Sequence, residues 1–182
     1  MTPALETARL VLRPLALGDA EQLQRIFPRW ENVRLLAARV PWPYPPDGAL
    51  TFVRDVALPA MEAGRGWHWT IRRREEPGVI VGAINLTAGE TENRGFWMAP
   101  EWRRLGYTAE ACAAVNGFWF EVLGQPVLRV YKAAANEASR RISIREGMRL
   151  VGTVERDFVS GRAMAELWEI TAEEWRARAR AG

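Results

Sequence analysis

The fold is decided by residues 95–111, which read GFWMAPEWRRLGYTAEA. Their apolar start predicts the end of a short strand over 94–98, a polar loop follows, and an apolar helix runs from Tyr107 to Leu123. Arg103 and Arg104 precede Gly106 directly before that helix. Free N–H groups at a helix start, beside arginines and a glycine that admits close backbone approach, predict a diphosphate site. An ordinary capped loop is the alternative.

The residues before this stretch predict two helices and an antiparallel meander. Residues 5–15 alternate like a strand, 19–30 and 47–64 have helical spacing, and a proline-rich loop at 41–46 separates the two helices. The alternating runs 67–73 and 79–87 flank the turn 75–78, so they predict a hairpin that residues 94–98 extend.

The residues after it predict a strand, a helix, a hairpin and a short last helix. The strand covers 128–134, the helix 137–146, the hairpin 150–159 and 162–170, and residues 171–174 read as a capping box. A helix crosses between the strands 94–98 and 128–134, so that pair should be parallel. We therefore expect one mixed α/β domain over 1–182, with a mostly antiparallel sheet of about seven strands and helices on both faces.

Composition excludes several classes of protein. With 48% hydrophobic and 26% charged residues, the 182-residue chain is typical of globular proteins, and Cys112 is its single cysteine. No apolar run reaches the length of a membrane span, and the first residues do not resemble a signal peptide. We expect a cytoplasmic protein without a metal site or membrane partner, existing as a monomer or homodimer.

The basic residues are almost all arginine: of 25, Lys132 alone is lysine. An arginine excess can indicate nucleic-acid binding, but these arginines are dispersed. Their one triple, residues 72–74, lies at a hairpin end where solvation is the simpler reason. We expect no nucleic-acid partner, and attach meaning only to arginines at special positions.

One motif carries a family resemblance. Arg103-x-x-Gly106-x-Thr108 resembles the (Gln/Arg)-x-x-Gly-x-(Gly/Ala) signature of the GNAT superfamily of acyl-CoA N-acyltransferases. Thr108 departs from the signature, although its hydroxyl can still hydrogen-bond a phosphate.

Two further segments agree with this resemblance, in the same order along the chain. Residues 5–14 look like the first strand of the RimJ/RimL branch of that superfamily. Asn136-x-x-Ser139, followed by Gly147 and Met148, is similar to its late Asn-x-x-Ser helix and Gly-Phe turn.

The resemblance implies an N-acetyltransferase that passes the acetyl group of acetyl-CoA directly to a primary amine, either a protein N-terminus or a small molecule. It implies a sheet that splays between the strands 94–98 and 128–134 to admit the pantetheine arm, with a backbone N–H near Met98 polarising the thioester carbonyl. The cofactor contacts it implies are Trp97, Met98, Arg103, Arg104, Gly106, Tyr107, Thr108 and Asn136.

The candidates for proton transfer are few. Relatives often have Glu where this chain has Asn93, so we expect Glu92 to act through a water molecule. Ser139 is placed to give a proton to the thioester sulfur, with hydrogen bonding at the helix start as the alternative. His68 is more simply a structural strand histidine. The missing Glu also motivates the alternative of a weak or inactive acyl-CoA-binding module.

Trp30, Trp42 and Tyr44 lie in the segment that shapes the acceptor pocket in relatives, and an aromatic wall suits an apolar group or an ammonium. Carboxylates could attract a cationic acceptor, and the candidates are Glu31, Glu90, Glu92, Asp157 and Glu166. The identity of the acceptor is left open.

Overall fold

The computed structural model describes residues 1–89 and 91–181. Eight strands in this part of the chain form two antiparallel sheets. The first has the order β1-β2-β3-β4-β5, with β1 Leu5–Glu6, β2 Leu10–Pro14, β3 Gly66–Arg73, β4 Glu76–Thr87 and β5 Arg94–Met98. The second has the order β6-β8-β7, with β6 Val127–Ala133, β7 Arg149–Phe158 and β8 Gly161–Thr171.

Most helices follow the predicted positions, but the helix predicted over 19–30 ends at Ile26, before Pro28, and a separate short helix begins at Trp30. The helices are α1 Ala20–Ile26, α2 Trp30–Val33, α3 Gly48–Phe52, α4 Leu58–Glu62, α5 Tyr107–Gly117, α6 Glu137–Glu146 and α7 Ala172–Ala181. A wider π turn, Val53–Ala57, joins α3 to α4, and another, Phe118–Val122, prolongs α5. The capping box of α7 is formed, since the Glu174 carboxylate accepts from the Thr171 N–H at 2.8 Å and the Thr171 hydroxyl accepts from the Glu174 N–H at 3.2 Å.

The mixed α/β class is confirmed, and the sheet divides where β5 and β6 meet. Just before β5, where the two strands are still close together, the Asn93 N–H donates to the Arg129 carbonyl at 2.8 Å. Three residues on, Lys132 Nζ lies 5.2 Å from the centre of the Phe96 ring. Both strands thus run in the same direction, but no strand pairing joins them in the described residues. The splay is complete, so eight strands form two sheets instead of about seven forming one.

The first strand differs from prediction. Residues 5–15 form a two-stranded hairpin, because Thr7 reverses the chain. Its N–H donates to the Leu10 carbonyl at 3.0 Å, and its hydroxyl accepts from the Leu10 N–H at 2.9 Å. A period-two pattern cannot distinguish one strand from two short ones when the turn residue fits the alternation.

Two apolar clusters lie on opposite faces of the first sheet. One packs α1 and α3 around Leu23, Val53 and Ile80. The other packs α5 through Cys112 and Val115, and it continues into β6 and β8 through Leu128, Val130, Trp168 and Ile170. One core therefore spans both sheets, although their hydrogen bonding is interrupted.

Candidate active site

A cavity of about 680 Å³ opens where β5 and β6 diverge. It extends from this gap to α1, α3 and the proline-rich loop, and we call it the central cavity. Its lining is mainly apolar, with aromatic side chains that include Phe27, Tyr44, Phe52 and Trp97. A cavity of this size and character suits a small ligand or the end of a larger one.

The β5 side of the gap presents a backbone edge that pairs with no strand in the described residues. The Ala99 N–H donates to the Val81 carbonyl on β4 at 2.9 Å. Successive N–H groups of a strand point to alternate edges, so the Met98 N–H points away from β4 and toward the gap. Trp97 lines the central cavity and packs 5.1 Å from Phe27 between ring centres.

The opposite side of the gap is formed by β6 and the start of α6. Asn136 is the N-cap of α6, where its side-chain oxygen accepts from the Ser139 N–H at 3.2 Å. Lys132 Nζ donates to the Ser139 hydroxyl oxygen at 2.7 Å. All three side chains line the central cavity, and Lys132 and Ser139 are buried.

Burial, with a smaller contribution from the nearby Arg94 charge, lowers the pKa of Lys132 to about 8, while Cys112, Glu146 and Glu166 act in the opposite direction. Sequence reasoning missed Lys132 as a site residue. The signal was present, because the chain's one lysine lies between Tyr131 and Ala133 within the strand.

Glu92 lines the central cavity in an ion pair. Its Oε2 lies 3.3 Å from both terminal nitrogens of Arg156 and 4.0 Å from Arg39 Nη1. The Arg156 guanidinium in turn lies over the Tyr131 ring, 4.1 Å from its centre. The Glu92 carboxylate is therefore already engaged by a guanidinium at the edge of the central cavity.

Asn93 has a structural role. Its side-chain NH₂ donates to the carbonyls of Thr87 and Gly89 at 3.2 and 2.7 Å, and its Oδ1 accepts from the Arg129 N–H at 2.8 Å. A carboxylate here would bring negative charge against two carbonyl oxygens, so an amide suits this position.

His68 also lines the central cavity, opposite Asn85 across β3 and β4, with its ring 5.8 Å from that of Phe52. Burial lowers its pKa to about 4, so the imidazole is neutral at physiological pH. It can accept a hydrogen bond there, but it binds a proton weakly.

The predicted diphosphate site, residues 103–108, lies outside the central cavity at the start of α5. We call it the phosphate loop. Gly106 is the N-cap of α5 with φ 82°, and Arg104 also has a positive φ of 64°. Arg104 is exposed and makes no hydrogen bond or ion pair with any residue in 1–89 or 91–181. Its guanidinium is therefore available to an anion.

Arg103 is occupied elsewhere. Its Nε donates to the Met98 carbonyl at 2.9 Å, and its Nη2 donates to the Asn32 side-chain oxygen at 2.6 Å and to the Glu31 carbonyl at 3.1 Å. These bonds tie α2 to the end of β5.

Arg9 lies beside the phosphate loop, and sequence reasoning missed this residue. Its Nη1 donates to the Leu105 carbonyl at 2.9 Å, and its guanidinium lies 4.8 Å from the centre of the Tyr107 ring. A Cβ on Gly106 would lie 3.2 Å from Arg9 Nη2, so this glycine keeps the space open. Thr108 is half-buried in the first turn of α5.

The predicted acceptor residues are divided by the structure. Tyr44 lines the central cavity, whereas Trp30 and Trp42 pack against each other on the surface, 43% and 42% exposed, with ring centres 5.6 Å apart. The pair lies outside the cavity lining. Asp157 reaches the lining, Glu31 does not, and Glu166 is held by Arg140 at 2.8 Å outside it; Glu90 lies outside the described residues.

Solvation was expected to explain the arginine triple, and this is wrong for two of its members. Arg72 is buried and donates to Asp19 at 2.6 Å, and Arg73 pairs with Glu75 and Glu76, whereas Arg74 is exposed as expected. Among residues 1–89 and 91–181, no helix is long and apolar enough to cross a membrane. In the same residues, no three His, Cys, Asp or Glu side chains are grouped to hold a metal.

Comparisons with known proteins agree with this geometry. Residues 9–149 match the family model described as an acetyltransferase (GNAT) domain. The uncharacterized N-acetyltransferase YoaA of Bacillus subtilis (strain 168) is 29% identical over 158 residues, which cover 85% of this chain and 87% of YoaA.

Two solved structures share the fold. RimL, a ribosomal L7/L12 alpha-N-protein acetyltransferase in complex with coenzyme A, superposes with a TM-score of 0.81 at 14% identity, covering 94% of this chain and 99% of RimL. The ribosomal-protein-S5-alanine acetyltransferase from Vibrio fischeri has a TM-score of 0.79 at 14% identity, covering 95% and 98%.

Proposed function

The chain belongs to the GNAT family of acetyltransferases and transfers acetyl groups from acetyl-CoA to an amine, and from this premise we propose that its acceptor is a peptide α-amino group. The observation that carries the proposal is the ion pair between Glu92 and Arg156. The carboxylate of the expected base is thereby engaged by a guanidinium, and His68, whose pKa burial lowers to about 4, does not replace it.

The acid–base properties of amines then favour one class of acceptor. An α-amino group has a pKa near 8, whereas a lysine amine has a pKa near 10.4. At neutral pH the α-amino group is partly unprotonated without help, so a water molecule beside Glu92 suffices to remove its proton. The names of RimL and of the ribosomal-protein-S5-alanine enzyme point to the same class of acceptor.

The central cavity supports an acceptor with an apolar first residue. The part of the cavity beside α1, α3 and the proline-rich loop, where the acceptor would bind, is lined by Phe27, Tyr44 and Phe52. An apolar side chain on the residue that carries the α-amino group would lie among these rings. Burial of its apolar surface would stabilise binding of the peptide.

For acetyl-CoA, the residues present fit the family role. Arg104 and the N–H groups at the start of α5 would hold the diphosphate, with Thr108 and Tyr107 beside them. Arg9 also lies beside the loop, but its guanidinium is paired with the Glu110 carboxylate at 2.7 Å. Asn136 and the open edge of β5 would hold the pantetheine amides, and the Met98 N–H would polarise the thioester carbonyl. Bound acetyl-CoA supplies an activated acyl group, and the chain's contribution is mainly to position it against the amine.

Thermal-shift titration with acetyl-CoA, followed by thiol release with three acceptors, tests the proposal. The acceptors are a short peptide with a free N-terminal Phe, the same peptide N-acetylated and carrying one Lys, and phenethylamine. We expect acetyl-CoA to raise the Tm and only the first peptide to be acetylated. Turnover of the lysine peptide or phenethylamine alone would refute an α-amino acceptor, and unchanged Tm would refute the cofactor site.

We also propose that the protein acts in the cytoplasm without a metal, as a monomer or homodimer. The mild net charge of +3 and the single buried Cys112 support this. An inactive acyl-CoA-binding module is not favoured, because the family and the named relatives are acetyltransferases.

A further inference from the structure

Lys132 is the one lysine among 25 basic residues, and it faces the central cavity. Its side chain is buried, with Nζ 2.7 Å from the Ser139 hydroxyl oxygen and 5.2 Å from the centre of the Phe96 ring. Within residues 1–89 and 91–181, no carboxylate forms an ion pair with it at 4.0 Å or less. Burying a cation without a direct counterion costs desolvation free energy. We therefore expect Lys132 to have a function at this position.

The titratable groups around Lys132 come from four elements: Arg94 of β5, Cys112 of α5, Glu146 of α6 and Glu166 of β8. Burial raises the pKa of the Cys112 thiol to about 12, so it is uncharged near neutral pH. Both carboxylates already bind arginines. Glu146 is held by Arg94 at 2.7 and 2.8 Å, and Glu166 by Arg140 at 2.8 Å. Their attraction for Lys132 is therefore largely offset.

Lysine and arginine differ here in one property that matters. An arginine keeps its proton throughout the accessible pH range, whereas a buried lysine can release one near neutral pH. The pKa of Lys132, lowered by burial to about 8, is close to the value of about 8.5 for a thiol. Proton exchange between the two groups is thus nearly balanced in energy.

We propose that Lys132 is a positioning residue that supplies, through the Ser139 hydroxyl, the proton taken up by the CoA sulfur when the thioester is cleaved. The inference rests on the proposed placement of acetyl-CoA in the gap between β5 and β6. Because Lys132 donates to Ser139 Oγ, the hydroxyl hydrogen is directed away from Lys132 and is free to point into the central cavity.

The amine nitrogen bonds to the thioester carbon, and the C–S bond breaks with its electron pair on sulfur. The Ser139 hydroxyl proton passes to sulfur, and a Lys132 ammonium proton passes to Ser139 Oγ. The acetylated amine releases its surplus proton to water, and Lys132 regains one from water, so the enzyme returns to its starting state.

Binding of CoA and of desulfo-CoA, in which hydrogen replaces the thiol, tests the inference without an acceptor. A Lys132 ammonium that interacts with a CoA thiolate favours CoA over desulfo-CoA between the pKa values of the two groups. In calorimetric titrations from pH 6 to 10, we expect the ratio of the two affinities to rise about tenfold to a maximum near pH 8 and then to fall. A flat ratio, with both ligands bound, would overturn the inference and leave the cofactor site intact.

Two variants separate this role from a structural one. Lys132→Met keeps the side-chain length and removes the charge, and Ser139→Ala removes the intermediate hydroxyl. We expect each variant to bind desulfo-CoA as the wild type does and to show a flat affinity ratio. A pH maximum retained by Lys132→Met would contradict the proposal. If neither ligand binds the wild type, the proposed cofactor site itself is wrong, and the inference fails with it.

The wild-type protein offers a second measurement that needs no variant to fold. Because the chain has one lysine, ¹³Cε-lysine labelling gives one side-chain NMR signal that needs no assignment. CoA should raise the titration midpoint of Lys132, since the thiolate favours the ammonium, whereas desulfo-CoA should leave it in place. An equal midpoint with the two ligands would overturn the inference.

Discussion

The buried ion pair between Arg94 and Glu146 joins β5 to α6 across the divided sheet, and removing its negative partner should strongly destabilise the protein. The Arg94 side chain is fully buried, and that of Glu146 is 14% exposed. Two nitrogens of Arg94 donate to the carboxylate, and Nη1 also donates to the Asn116 side-chain oxygen at 2.6 Å. Glu146→Gln keeps the shape of the side chain and leaves the guanidinium buried without a counterion.

The magnitude follows from burial. Removing one partner of a buried pair costs about 3–5 kcal/mol. With an unfolding entropy of about 2.1 cal/mol/K per residue over 182 residues, this lowers the Tm by about 8–13 °C. Scanning calorimetry measures the Tm, and urea unfolding followed by the fluorescence of the nine Trp gives the free energy.

A matched control is the exposed pair of Glu21 with Arg25, whose side chains are 84% and 67% exposed. Glu21→Gln should leave the Tm almost unchanged, because exposed ion pairs contribute little. Replacing both buried partners, as Arg94→Met with Glu146→Leu, should recover part of the loss, since the buried Asn116 amide then loses its bonds to both of them. If Glu146→Gln lowers the Tm by less than about 3 °C, the reasoning from burial is wrong.

Three further predictions concern the phosphate loop, a cavity histidine and the turn before β5. Arg104→Gln should weaken acetyl-CoA binding about tenfold in calorimetry with little change in Tm, whereas Arg103→Gln should lower the Tm; equal effects on binding would contradict the different roles assigned to them. His68 has a folded pKa of about 4, below its unfolded value near 6.5, so the unfolded state binds the proton more tightly. Stability should therefore fall by about 3 kcal/mol as the pH drops from 6.5 to 4, and urea unfolding of His68→Gln should lack that part of the pH dependence. Asn93→Asp should destabilise the protein by about 2–3 kcal/mol in urea unfolding, because two carbonyls lose their donors, and a neutral effect would refute its structural role.

Much of the fold could be predicted because its signals are local. The hairpin of β3 and β4, the helix from Tyr107 and the capping box at Thr171 each depend on residues close in sequence. The division between β5 and β6 is not encoded locally. It appears because Asn93 bonds to Arg129 at one end, after which no further backbone pairing follows in the described residues.

The candidate site was predicted less evenly, since lining a cavity is a tertiary property. Tyr44 reaches the central cavity, while Trp42, two residues earlier, packs on the surface with Trp30. Arg103 and Arg104 are adjacent in sequence, yet one is bonded to α2 and β5 and the other is free of such contacts in the described chain. The alternation of β6 alone predicts which face of the strand Lys132 occupies. Only the tertiary fold brings the Ser139 hydroxyl oxygen within 2.7 Å of Lys132 Nζ.

The interruption between β5 and β6 divides the hydrogen bonds of the molecule without dividing its packing. Leu128 and Trp168 of the second sheet belong to the same core as Leu12 and Trp69 of the first. Global unfolding should therefore be a single cooperative event. The rates of amide hydrogen exchange should nevertheless differ among residues of this core. The amides of β5 that point into the gap are expected to exchange quickly in the midst of a slowly exchanging core, which would make them direct reporters of whatever occupies the cleft.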